Sequence, residues 1–148
     1  MEPAQTSLSL QDKWLARMRD LHVDCAMSAA DEEIERIREA AWLLPRGHRW
    51  HWACPLSYNF HQLETMLSFR AFESAALALV SEELSYLVER RHDGEFRARV
   101  ALNEGGEDIE VDGATFALAL LGAHIAALVA DCEQGAELDA QVAKSETA

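Results

Sequence analysis

The stretch YLVERRHDGEFRARVALNEGGEDIEVD, residues 86–112, decides the fold. Asp93-Gly94 carries the chemistry of a two-residue hairpin turn, in which a glycine supplies the positive φ that other residues resist. On its far side Phe96, Ala98, Val100 and Leu102 alternate with Arg97, Arg99 and Ala101, and residues 86–91 form the opposing strand. Gly105-Gly106 offers a second turn, after which Ile109 and Val111 alternate with Asp108, Glu110 and Asp112. A three-stranded antiparallel meander is the expectation. Its polar face sets Arg97 and Arg99 beside acids of a neighbouring strand, so cross-strand pairing is a sufficient role for both arginines.

Outward from the meander the chain reads as helix. Trp14, Met18, Leu21 and Cys25 fall at steps of four, three and four, one face of a helix over 10–27 that Ser9 can cap. A second helix opens at Ser28 or Asp31, carries Asp31, Glu32 and Glu33 at the positive end of its dipole, and ends at Pro45 and Gly47. Its stripe of Ile34, Ile37, Ala41 and Leu44 makes the two a helical hairpin. From Ser57 or Asn59 the chain reads as helix again, with Asn59 and Gln62 as a capping box, and Ser68 can start a helix that turns Phe72, Ala76, Leu79 and Val80 inward. After the meander, Asp112 is expected to cap a last helix over 114–132. That helix is apolar on nearly every side, through Phe116, Leu118, Leu120, Leu121, Ile125, Leu128 and Val129. Such a helix lies between the sheet and the hairpin, or between the sheet and a second subunit, and a homodimer is the favoured form of the latter. Its His124 reads as a core or interface residue.

The reading is α+β: an N-terminal helical hairpin, then a helix, the meander and a buried C-terminal helix. Residues 1–133 form one domain, and residues 134–148, with little apolar patterning, form a disordered acidic tail. A chain of 148 residues is long enough for a real core. Three widely spaced cysteines, Cys25, Cys54 and Cys132, make a poor disulfide framework and fit free thiols in a cytoplasmic protein. No secretory signal is expected at residues 1–10, and the longest apolar run, 114–130, falls short of a membrane span.

Residues 68–130 resemble the small α-β-α sandwich domain proteins found in phages and prophages. Phe72, Ala75 and Ala76 ahead of the strands carry the likeness, with Val111, Ala114, Thr115, Leu118, Ala119, Leu120, Ala126 and Leu128 in and after the third strand. The resemblance implies a fold and a mobile-element origin, and it brings no defined activity or functional residues.

The 49% hydrophobic, 26% charged composition carries a formal net charge of −13 that is uneven along the chain. Residues 104–148 hold ten acids against the single base Lys144, and residues 40–103 balance. Such a field repels phosphate backbones and attracts basic surfaces, which argues against direct nucleic-acid binding. The chain has no G-x-S-x-G, Walker loop, G-x-G-x-x-G or H-E-x-x-H, so the best-marked enzyme classes are excluded and neither catalytic residues nor a cofactor is expected. The acids Asp31, Glu32, Glu33 and Glu35 could be read as a Mg site, but their place at a helix start explains them.

The densest aromatic segment is 46–58, with Trp50, Trp52 and Tyr58, and Phe60 just beyond it, amid His48, His51, Cys54 and His61. As a short strand it would bury Trp50, Trp52 and Cys54 on one side. Imidazoles and a thiolate are zinc ligands, but an extended chain sends His48 and His51 to opposite faces, so no metal site is expected.

These observations lead to a small acidic interaction protein: an inhibitor or adaptor that docks on a basic, nucleic-acid-binding surface of a larger protein. Phage-encoded anti-defence proteins of the anti-CRISPR kind are one class of this size and charge. Its partner surface is placed at Glu104, Glu107, Asp108, Glu110 and Asp112. The alternative is a dimeric acidic chaperone or immunity-type protein that holds a cognate partner in an apolar groove anchored by Trp50 and Trp52. An enzyme of unmarked type is the second alternative.

Overall fold

In a computed structural model of the chain, residues 9–55, 57–80, 82, 84–102 and 107–146 are described. The architecture is α+β: five helices and a three-stranded antiparallel sheet among the described residues. Helix α1 (Leu10–Met27) begins where Ser9 accepts a hydrogen bond from the Asp12 amide, matching the expected cap and both expected ends. A single 3-10 turn, Ala30–Glu32, leads into α2 (Glu33–Arg46), which keeps Pro45 in its last turn and is closed by Gly47.

Helix α3 (Phe60–Ser68) is capped by Asn59, whose side chain accepts from the Gln62 amide. Ser68 ends this helix rather than starting the next. The Ala71 amide donates to Met66 and the Arg70 amide to Leu67, a Schellman closure in which Arg70 takes the left-handed position with φ 58°. Helix α4 (Phe72–Leu79) follows at once.

The meander is β1 (Ser85–Arg90), β2 (Phe96–Ala101) and β3 (Ile109–Gly113), in the order β1-β2-β3. Arg90 pairs with Phe96, and the Arg91 amide then donates to Glu95, so His92, Asp93 and Gly94 form a three-residue loop in place of the expected two-residue turn. Gly94 takes the positive φ of 87° that this geometry requires. The turn expected at Gly105-Gly106 lies outside the described residues. In register, Val88, Ala98 and Val111 face the core, while Leu87, Arg99 and Glu110 face out.

Helix α5 (Phe116–Glu146) is the central layer, with β2 and β3 on one side and α1 on the other, and α2 and α4 alongside. Gly122 shows why this helix is rich in small residues: a Cβ there would stand 3.0 Å from Val111 Cγ1 on the sheet side and 3.4 Å from Cys25 Cβ on α1. The all-round apolar surface is therefore covered within one chain. The 20-residue stretch Phe116–Gly135 is long and apolar enough to cross a membrane, contrary to the expectation that the run is too short, but 67% of it is buried in the protein's own core. Thr115, and not Asp112, caps the helix by accepting from the Leu118 amide. Asp112 sits inside β3 instead, because its carboxylate is taken by Arg91 and Arg97. The helix also runs on through Glu146, past the expected end at 132 and through most of the segment expected as a disordered tail.

Candidate functional site

The segment expected to be extended is a run of tight turns. The Trp50 and His51 amides both donate to Gly47, and the Cys54 amide donates to His51, so the side chains do not alternate. Adjacent Ala53 and Cys54 are both buried, as is His51, while Trp52 is 48% exposed. This loop leans on α1, where Trp50 packs on Trp14 with ring centroids 5.4 Å apart, and on α5, where His51 meets Asp131.

His51 is held at both ring nitrogens. Its Nδ1 accepts from the Ala53 amide at 3.0 Å, which leaves the proton on Nε2 to donate to Asp131 Oδ2 at 2.6 Å. A histidine so committed has no free lone pair to take a substrate proton, so the pair works as a latch between loop and helix and not as a general base. His48 makes a second tie through Nδ1, which donates to the Cys54 carbonyl at 3.0 Å.

Around the latch lies an open cleft of about 350 Å³, lined by Gln11, Trp50, His51, Trp52, Asp131, Cys132 and Gly135. Neither Cys132, which lines the cleft, nor the buried Cys54 of the loop is an activated thiol. Burial pushes Cys54 up to about 12, and burial together with the neighbouring Asp131 and Glu133 carboxylates raises Cys132. A protonated thiol is a poor nucleophile and a poor zinc ligand. Among the described residues no three His, Cys, Asp or Glu side chains come together as a metal site, and His61 is exposed on α3. Behind the latch His124 is fully buried with neither ring nitrogen hydrogen-bonded, and burial, helped by His51, lowers it to about 4.

The acids expected to meet a partner lie elsewhere. Glu110 is bound by Arg99, and Asp112 by Arg97 and Arg91, on the outer face of the sheet, and the guanidiniums hold Asp112 below its ordinary value. Glu107 and Asp108 are exposed where the chain enters β3. Glu104 lies outside the described residues. The structure thus separates the expected residues into two surfaces, a sheet face whose acids are paired and a loop cleft bordered by Trp50 and Trp52. Asp131, the partner that fixes the cleft, stands 80 residues from His51, and no local signal in the sequence connects them. No protein-family model, curated protein or solved structure matches the chain.

Proposed function

We propose that this is a small acidic interaction protein, an inhibitor or adaptor that docks on the basic surface of a larger, nucleic-acid-binding protein in the cytoplasm. One observation carries the reading: most of the chain's arginines are used internally while many of its carboxylates are not. Arg19, Arg36, Arg38, Arg91, Arg97 and Arg99 are engaged in ion pairs, and Arg17, Arg46 and Arg49 lie over the rings of Trp42 and Trp50. Against them, Asp12, Asp20, Asp31, Glu35, Glu107 and Asp108 are exposed and in no ion pair among the described residues. The negative excess is therefore presented to solvent, where it speeds encounter with a positive surface. Because Glu110 and Asp112 are already paired, the unpaired Glu107 and Asp108 supply the field at that edge of the sheet.

The cleft favours a second reading, apolar capture of a partner, because Trp52 offers a large half-exposed ring on a loop that the latch holds rigid. Salt separates the two. A partner captured from host extract is released steeply as ionic strength rises if charge drives docking, and the double variant Glu107→Gln, Asp108→Asn slows its association at low salt. Retention that is independent of salt, with loss on Trp52→Ala, would move the assignment to the apolar cleft.

A further inference from the structure

We propose that the free edge of β1 is an interface between two copies of this chain, which pair antiparallel about Leu87 into one continuous sheet in the order β3-β2-β1-β1-β2-β3.

The edge is open. β1 lies at one side of the sheet, and among the described residues no backbone group hydrogen-bonds to its outer side. The Arg91 amide donates to Glu95, so residues 91 and 95 are a hydrogen-bonded pair, and along an antiparallel ladder such pairs recur at every second residue. Ser85, Leu87 and Glu89 therefore bond to β2, while Tyr86, Val88 and Arg90 turn their N–H and C=O groups outward. Neither face shields them: Tyr86 is 46% and Leu87 56% exposed, and of the whole strand only Val88 is half-buried. The opposite edge differs, since α1 packs along β3.

An open edge is a template for pairing with another chain, and proteins blunt it with proline, lysine or a bulge. Ser85–Arg90 has none of these: it contains neither proline nor lysine, and its register with β2 is unbroken. Its apolar residues are also self-complementary. Antiparallel pairing centred on Leu87 lays Leu87 on Leu87 of the second copy, each Tyr86 on a Val88 and each Ser85 on a Glu89, and aromatic against β-branched is a favourable cross-strand pair. The outward amides and carbonyls of Tyr86 and Val88 then satisfy one another. Centring on Val88 would set Leu87 against Glu89, and centring on Glu89 would set like charges together, so the charged end of the strand selects the register. A single strand pair is a small interface, which makes the dimer weak. The formal −13 of each chain opposes it further, so added salt tightens the dimer, the reverse of its effect on docking to a basic partner.

The test is sedimentation velocity of the full chain over a wide concentration range. A monomer–dimer equilibrium that strengthens with salt is expected. Tyr86→Pro removes one outward amide and leaves the β1–β2 ladder intact, so it should abolish the dimer while urea unfolding shows the fold retained. Leu87→Lys, at an exposed position, should weaken association roughly tenfold by setting like charges opposite each other, and mixing Leu87→Lys with Leu87→Glu chains should restore it. A dimer indifferent to both substitutions, growth beyond the dimer, or a mixture that fails to recover association overturns the proposal. So does a chain that stays monomeric at every concentration; loss of a partner captured from extract in Tyr86→Pro would then assign the edge to that partner. These outcomes leave the docking reading standing, since that is judged by the salt dependence of partner release and by Glu107 and Asp108.

Discussion

Gly47 lies directly beneath Trp14: a Cβ at position 47 would stand 2.1 Å from Trp14 Cζ2. The indole cannot withdraw, because its N–H donates to the Leu43 carbonyl at 2.9 Å and its ring is backed by Trp50. Gly47→Ala is therefore expected to cost about 2 to 3 kcal/mol by overpacking, read from urea unfolding of the variant and the parent. A loss below about 0.5 kcal/mol would mean that the Trp14–Trp50 stack is not seated as described.

Removing the latch should loosen the cleft without dissolving the core. Asp131→Ala leaves the His51 Nε2 proton without a partner in a buried place, a loss of about 1 to 3 kcal/mol. Tryptophan emission should shift to the red as Trp50 and Trp52 gain water. An unchanged spectrum together with unchanged stability would argue that the loop is held by Gly47 and Trp14 alone.

The buried imidazole of His124 predicts acid sensitivity. Its value falls from 6.5 to about 4 on folding, so between those limits the unfolded chain takes a proton that the folded chain refuses. Stability attributable to this residue is full above pH 6.5 and is lost as pH falls toward 4, by about 3 kcal/mol. Glu33 acts in the opposite sense: its raised value lets the folded chain take up its proton first, which adds stability on acidification. In His124→Leu the imidazole slope should vanish, and stability at neutral pH should rise by about 1 to 3 kcal/mol because two unsatisfied polar atoms leave the core. Denaturation midpoints measured from pH 4 to 7 in both proteins check this.

Relief of backbone strain gives a smaller effect. Arg70→Gly should stabilise the chain by about 1 kcal/mol, since glycine adopts the left-handed turn between α3 and α4 freely. A destabilised variant would show that the arginine side chain makes contacts worth more than the strain.

Local rules reached a good part of this architecture. Alternation at Phe96, Ala98 and Val100 and at Ile109 and Val111 placed the strands, and Ser9, Asn59 and the 3.6-residue spacing placed α1 and α3. They failed where a distant partner outcompetes the local signal. Asp112 reads as a helix cap until Arg91 and Arg97 claim it from the neighbouring strand and loop. Trp50 and Trp52 read as a strand pair until Gly47, placed under Trp14, curls the backbone into turns. Long-range closure, and not residue preference, makes the loop cleft.

The missing side chain at Gly122 fixes a length. Sheet and first helix rest on opposite sides of one backbone position, with Val111 and Cys25 as the two bearings. The thickness of the molecule is set there, and with it the distance between the charged sheet face and the tryptophans held by α1. A methyl at residue 122 would fill that gap: it would touch Cys25 at ordinary contact distance and press on the Val111 side chain, which must give by a few tenths of an ångström. The spacing at which the protein presents its two faces is thus written in the smallest residue of its central helix.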